Sequence, residues 1–412
     1  MGCGAVRRLC YDPRMLALPE RIRAAAVEAG FDLVGFAASR PAPLAERLGD
    51  WLAQGMHGTM QYMEDPDGRR ADPERYLPWA RSLVVVGLSY HTGHALSQAP
   101  ERGAISRYAW GRDYHVEVRA RIERLRAALE ALAPGCRTHP FVDTSPVLEK
   151  GVAEAAGLGW RGKHTNLLRK RLGSWFFLGG LATDLEIAPD RPGRDHCGTC
   201  TRCIDVCPTR AIIAPYVLDA RLCISYLTIE HRGPIPRALR AGVGNRVFGC
   251  DDCQEVCPWN KFATRTRVAE FEPHDGNLNP LLLELLALSR SQWNRRFKRT
   301  PVRRAHYEGF LRNVAVAIGN WGAPEAVPGL AARLDDPSPL VRGHVAWALG
   351  RIGTAPAHAA LVARRRREDD AWVEEEIALA LGEAVVSRAP EPRIGRHAGE
   401  IDAQPLNRGT DP

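Results

Sequence analysis

HCGTCTRCIDVCPTRAI, residues 196–212, and FGCDDCQEVCPWN, residues 248–260, are the two stretches on which the reading of this chain turns. The first sets Cys197, Cys200, Cys203 and Cys207 in a C-x2-C-x2-C-x3-C run closed by Pro208. That is the ligand spacing of a bacterial two-cluster ferredoxin, in which three thiolates hold one [4Fe–4S] cluster and the cysteine before proline crosses to the other. Aligned on it, Cys250, Cys253 and Cys257 match Cys200, Cys203 and Cys207, and Val247 stands where a fourth cysteine belongs. Cys223 is the only other cysteine between His196 and Pro258 and fills that corner. The expected wiring is Cys197, Cys200, Cys203 and Cys257 on one cluster, with Cys207, Cys223, Cys250 and Cys253 on the other. Zinc favours two-plus-two spacing, and disulfide frameworks belong to small secreted chains. Neither calls for a three-plus-one Cys-Pro run used twice.

Working outward, the chain has 412 residues, 45% of them hydrophobic, with a net charge of +8. That length suits two to four domains. No window approaches the ~18 uninterrupted apolar residues of a membrane helix, and Arg7-Arg8 is followed by no apolar segment, so no export signal is read there. The expectation is a cytoplasmic protein, where thiols stay reduced. Cys3 and Cys10 match no element, and Met15 is an alternative start.

An amphipathic helix is expected over Leu16–Ala29, ended by Gly30. Short strands follow at Phe31–Phe36 and Leu83–Tyr90, the latter a near-continuous apolar run of the kind found in α/β sheets. Between them GMHGTMQYM, Gly55–Met63, reads as a surface loop or as a lid over a flat hydrophobic ligand. A long helix covers Tyr114–Leu132, with Arg119, Arg121, Arg124 and Arg126 on its polar side. Phe141-Val142 ends a strand, and Ser145-Pro146 reads as the N-cap and first turn of the next helix. Asp143 thus falls at a strand end entering a helix, an address used for ligand-facing residues in open α/β sheets and also by plain turn residues. The glycine-rich turn Gly157–His164 offers a phosphate cradle without Walker or Rossmann spacing. Gly173 opens a buried strand, GSWFFLGGL.

FVDTSPVLEK (141–150), GLGWRGKHTNLL (157–168) and GSWFFLG (173–179), together with the two cysteine runs and LDARLCISYLTIEHRGPIP (218–236), resemble the epoxyqueuosine reductases. These are cobalamin-dependent iron–sulfur enzymes of the last step of queuosine biosynthesis in tRNA. The resemblance extends over about residues 15–385. It implies a multidomain α+β chain: an α/β cobalamin-binding catalytic domain (15–186), a two-[4Fe–4S] ferredoxin-like domain (187–265) and a HEAT-like helical-repeat tRNA-binding domain (266–386). A non-matching extension (1–14) and a tail (387–412), expected to be disordered, flank them. It also implies that Asp143 is the proton donor and agrees with the wiring through Cys223. Lys163, Ser174, Tyr226 and Thr228 are candidate cobalamin contacts only through their place in the matching segments.

The last third carries its own pattern. VAVAIG (314–319), VAWALG (345–350) and IALALG (377–382) recur 31 and 32 residues apart. Each unit of such a helical repeat buries its small-residue face against a neighbour. Upstream, NRRFKRTPVRR packs Arg295, Arg296, Lys298, Arg299, Arg303 and Arg304 into ten residues, and Arg364–Arg367 adds four more. A basic run is commonly a solvated face; beside a helical solenoid and the resemblance it reads as phosphate-backbone contact with an RNA stem.

The expected activity is a two-electron deoxygenation of an epoxide on the wobble base of a tRNA anticodon stem-loop. Electrons enter from a donor, pass through two [4Fe–4S] clusters to cobalamin, and Asp143, its pKa raised by burial and by the absence of a paired cation, protonates the departing oxygen. A monomer is expected. A simple electron carrier does not account for Asp143 or for the large first domain, and an RNA-binding adaptor does not account for eight cluster cysteines. The reductive dehalogenases combine the same cofactors but are typically exported by a twin-arginine signal.

Overall fold

The structure is a computed structural model that describes residues 17–39, 44–70, 72–274 and 276–382. The extension with Cys3, Cys10 and Met15, and the tail from Ser387, lie outside the described residues.

The first half is built on a four-stranded sheet. Helix α1 (Leu18–Glu28) buries Ile22 and Ala26 and ends before Gly30 at φ +94°. Strands β1 (Leu33–Ala38) and β2 (Ser82–Ser89), helix α2 (Tyr114–Leu132), strand β3 (Thr138–Phe141), helix α3 (Glu149–Ala155) and strand β4 (Phe176–Thr183) follow. The spatial order is β1-β2-β4-β3 and every pairing is antiparallel. The apolar run of β2 therefore does not mark a parallel sheet. It is apolar throughout because both faces are covered: Val84, Val86 and Leu88 pack with Ile122 and Leu125 of α2, and Leu83 and Val85 with Val152 and Ala153 of α3. Gly180 lets β4 seat against its neighbours, since a Cβ there would stand 2.2 Å from Val84 O.

The second half begins with the cysteine loops. One-turn helices at Arg202–Asp205 and Asp252–Glu255 each follow the first cysteines of a run. The two halves are stitched together: residues 104–105 pair in parallel with Arg246–Phe248, and buried Asp251 accepts hydrogen bonds from Ser106 Oγ (2.6 Å) and Arg107 N–H (2.8 Å). Helix α4 (Ile224–Ile229) leads from the cysteine loops toward the repeats.

Helices α5 (Tyr307–Trp321), α6 (Val327–Arg333), α7 (Pro339–Ile352), α8 (Ala355–Arg365) and α9 (Ala371–Ala380) form the repeats, the three quoted motifs lying on α5, α7 and at the end of α9. The recurring glycine has a packing reason. A Cβ at Gly319 would stand 2.9 Å from Ala348 Cα, and one at Gly350 2.8 Å from Ala380 Cα. The glycines of the first two motifs thus each admit the next repeat. The repeats share one core with the cysteine half, running from Ile105 and Phe248 to Ile377. Fully buried Arg312 of α5 donates to Leu227 O, His231 O and Gly233 O, and Asn313 to Thr228 O and Val247 O. Val247, at the position where a cysteine is missing, is thus a core residue.

Candidate active site

A cavity of about 430 Å³ opens between the sheet and the cysteine loops, and Cys207, Cys223, Cys250 and Cys253 all line it. Cys197, Cys200, Cys203 and Cys257 lie outside it. Burial pushes Cys203 up to about 11, helped by Cys197, Cys257 and Cys200, while Cys253 is raised by burial and then by Cys223 among its neighbours. All nine described cysteines are free of disulfides. Among the described residues no three His, Cys, Asp or Glu side chains converge on a single-ion site.

The wall facing the thiols is aromatic and flat. Tyr114 stacks on Phe177 at 4.2 Å between ring centroids with 7° between planes, and Tyr90 lies 4.5 Å from Phe177. The edge is polar. Lys150 Nζ donates to Asn166 Oδ1 at 2.8 Å. His164, buried and held neutral by that burial with a pKa lowered to about 4, accepts Asn166 N–H on Nδ1 and leaves Nε2 without a partner.

Asp143 does not line the cavity but stands beside its rim, next to the cavity-lining Tyr114, in a left-handed turn, φ +50°. Helix α3 begins at Glu149 and not at Ser145-Pro146, so Asp143 belongs to the turn between β3 and α3 and not to a helix entrance. Its Oδ2 lies 2.9 Å from His115 Nε2, and His115 Nδ1 lies 2.7 Å from Asp113 Oδ1. Burial pulls the imidazole down, but the hydrogen bonds with the two carboxylates outweigh it and bring His115 up to about 9. The same His115 bond holds the Asp143 carboxyl below its ordinary range, against the effect of burial. The expectation of an unpaired, raised Asp143 is therefore corrected: a cation pairs with it. The strongly raised acid is Glu149, pushed by burial up to about 8, whose Oε1 accepts Asp143 N–H at 2.6 Å.

Of the four candidate corrin contacts only Ser174 lines the cavity, its Oγ donating to Gln254 Oε1 at 2.9 Å. Lys163 Nζ instead donates to Gly198 O and Cys200 O, so the Gly157–His164 turn clamps a cysteine loop and forms no phosphate cradle. Thr228 is fully buried, spending its hydroxyl on Ile224 O and Gly249 N–H. Tyr226 OH binds Thr59 N–H and Oγ1, both at 2.8 Å, and thereby pins the Gly55–Met63 loop. That loop is packed, with Met56 and His57 buried, and carries Tyr62 outward to Arg304. His115, Glu149, Lys150 and His164 were missed in sequence because no spacing links them. Glu149, Lys150 and His164 stand in segments quoted for the resemblance, which was the only available signal; His115 stands outside them, in the first turn of the Tyr114–Leu132 helix.

The basic run reaches this rim. Arg299 O accepts Asp113 N–H at 2.8 Å, and Arg304 pairs with Glu230 at 2.9 Å beside Tyr62. Arg295, Lys298, Arg299 and Arg303 are exposed, and their side chains have no ion-pair partner among the described residues. Arg364–Arg367 is different: Arg364 is bound to Glu368 and Asp335, and Arg367 to Asp335.

A chain in which cluster-type thiols open on a chamber of this size, with a paired aspartate beside it, has the build of an iron–sulfur oxidoreductase rather than of a carrier that only hands electrons on. Comparison with known proteins fits that class. Residues 196–260 match the 4Fe-4S double cluster binding domain, residues 307–382 the HEAT repeats, and residues 70–144 the model described as Epoxyqueuosine reductase QueG, DUF1730. The epoxyqueuosine reductases of Xanthomonas campestris and Pseudomonas aeruginosa are each 44% identical, over 81% and 83% of this chain and 96% of each relative. Among solved structures, an epoxyqueuosine reductase with an epoxyqueuosine-modified tRNA-Tyr stem loop superposes with a TM-score of 0.83 at 33% identity, covering 89% of this chain and 98% of that one. The Bacillus subtilis enzyme, described with its catalytic aspartate loop swung out of the active site, gives 0.82 at 32% identity over the same shares. The chain belongs to the epoxyqueuosine reductase family.

Proposed function

We propose that this chain reduces epoxyqueuosine to queuosine at the wobble position of a tRNA anticodon stem-loop, with Asp143 delivering the proton and His115 resupplying it. The observation that carries the reading is a cavity lined by four cluster-type cysteines, with the His115–Asp143 pair and a free basic surface beside it. The net change is an epoxide plus two electrons and two protons giving an alkene and water.

Two [4Fe–4S] clusters fit the two thiolate sets, and a cobalamin fits the flat aromatic wall with a polar edge whose buried His164 Nε2–H lacks an acceptor. Bound there, these groups supply low-potential electrons and a metal centre able to attack the epoxide. Tyr114 and Phe177 would form an apolar wall against the macrocycle and keep water out, while Lys150, Ser174 and His164 Nε2 would meet its polar rim.

The remaining steps belong to the protein. Opening an epoxide C–O bond leaves an alkoxide, which needs a proton as charge develops. An ionised Asp143 cannot give one by itself. His115 holds a proton at neutral pH and shares it along the Nε2···Oδ2 hydrogen bond. As a docked base excludes water from the rim, that proton passes through Asp143 to the oxygen, and Asp113 steadies the ring throughout. The exposed arginines beside Asp113 hold the phosphate backbone, so the splayed base is presented at the rim.

The test is Asp143→Asn, which keeps shape and much of the hydrogen bonding. Expected is retention of both clusters and of cobalamin binding, with epoxide reduction on a stem-loop slowed by about 100- to 10,000-fold, the usual span for losing an acid catalyst. Turnover close to the unaltered protein would return Asp143 to a turn residue.

A further inference from the structure

Electrons that reach the cavity must first enter the protein, and the two cysteine sets are not equally placed to receive them. Cys207, Cys223, Cys250 and Cys253 line the cavity; Cys197, Cys200, Cys203 and Cys257 do not. The latter set is the outer one, packed against Trp160, Leu168 and Trp259. The segments that carry those side chains are the Trp160–Leu168 hairpin and the turn Pro258–Phe262. Their outer surface is basic and bears one large apolar side chain. Phe262, five residues past Cys257, is 69% exposed. Lys261 stands beside it. Lys170 and Arg171 extend from the hairpin, and their loop meets the same turn through Thr264 N–H to Arg171 O at 2.9 Å. Arg194 and Arg202 flank Cys197 and Cys203. These five cations are exposed and have no ion-pair partner among the described residues. The exposed carboxylates of the same loop, Asp195 and Asp205, accept the hydroxyls of Tyr216 and Thr201.

The larger groove of about 670 Å³ beside Cys250 offers no such charge. Arg107 there pairs with Glu255, and Arg246 with Asp252.

We propose that the Phe262 face is the docking site of a small acidic one-electron carrier protein that reduces the outer cluster. The proposal rests on the two-cluster reading above. Unpaired cations around an exposed aromatic suit a brief redox encounter: charge steers the carrier in and a small apolar contact seats it. Each carrier is oxidised by one electron, so two carriers and two protons convert one epoxide to one alkene and one water.

The test uses the full chain loaded with clusters but without cobalamin, so that bleaching of cluster absorption is read directly. Unaltered protein, Lys261→Glu/Arg171→Glu and, on a separate segment, Arg194→Glu are mixed anaerobically with a reduced acidic flavodoxin or with dithionite. Expected is at least a ~10-fold slower reduction by flavodoxin at low salt, a difference that closes as salt rises. Reduction by dithionite and affinity for an anticodon stem-loop should stay unchanged. Equal flavodoxin rates in both variants would overturn the docking site. So would an equal loss of stem-loop affinity, which would give this face to RNA. Failure of dithionite to bleach even the unaltered protein would strike the two-cluster reading instead.

Discussion

At the scale of single residues, the informative group is one the sequence does not announce. Asp143 was legible because it sits in a recognisable segment, but its protonation was not, since His115 lies 28 positions earlier and reaches it only through the fold. A carboxylate with a cation at 2.9 Å behaves differently from one in a dry pocket. His115→Gln tests the relay. The imidazole has its pKa raised to about 9, so its proton is fully in place below its ordinary value of 6.5 and is lost as pH rises through about 9. Epoxide reduction that draws on this proton should fall over the same alkaline window. The Gln variant should be slower by about 100-fold at neutral pH and should lose that alkaline limb. A slow variant with the limb unchanged would make His115 merely a prop for Asp143. Stability follows the same sign: the contribution of the Asp113–His115–Asp143 pairing is fully present below about 6.5, falls as pH rises from there, and is gone above about 9.

At the scale of elements, periodicity and spacing were dependable and chain crossings were not. The helix at Tyr114–Leu132 lies where its pattern puts it, and the three small-residue motifs fall on α5, α7 and α9, because one face of each element carries the signal. The sheet misled: β2 is buried on both faces by helices, which hides the alternation that normally marks antiparallel strands. Pairings such as β2 with β4 span some ninety residues and leave no local trace. The gap at Val247 was readable, and the loop before α4 brings Cys223 to the cavity that Cys207, Cys250 and Cys253 also line. Cys223→Ser should therefore damage the inner cluster alone. Iron should fall from about eight toward about four per chain, with the outer cluster's redox signal retained. Undiminished iron together with unchanged redox behaviour would remove Cys223 from the ligand set.

At the scale of the whole molecule, the repeats are not an appendage. Arg312 and Asn313 of α5 cap backbone carbonyls of α4, its following turn and the strand before Cys250, and one core runs through the cysteine loops and the repeats. Composition marked three blocks; it had no means of showing that the last two share a core, because burial across a boundary depends on packing. The same packing brings the basic run of residues 295–304 beside Asp113 and Glu230, so the proposed RNA contact and the proposed chemistry would share one face. Arg364–Arg367 reads alike in sequence, yet Asp335 and Glu368 engage Arg364 and Arg367. The most direct measurement is mass analysis of the wobble nucleoside after the cluster-loaded chain and excess reductant act on an epoxyqueuosine-bearing anticodon stem-loop, with and without cobalamin. Expected is loss of one oxygen from the stem-loop base only when cobalamin is present, and far slower loss from the free nucleoside. No oxygen loss with every component present, or equal loss when cobalamin is left out, would contradict the assignment.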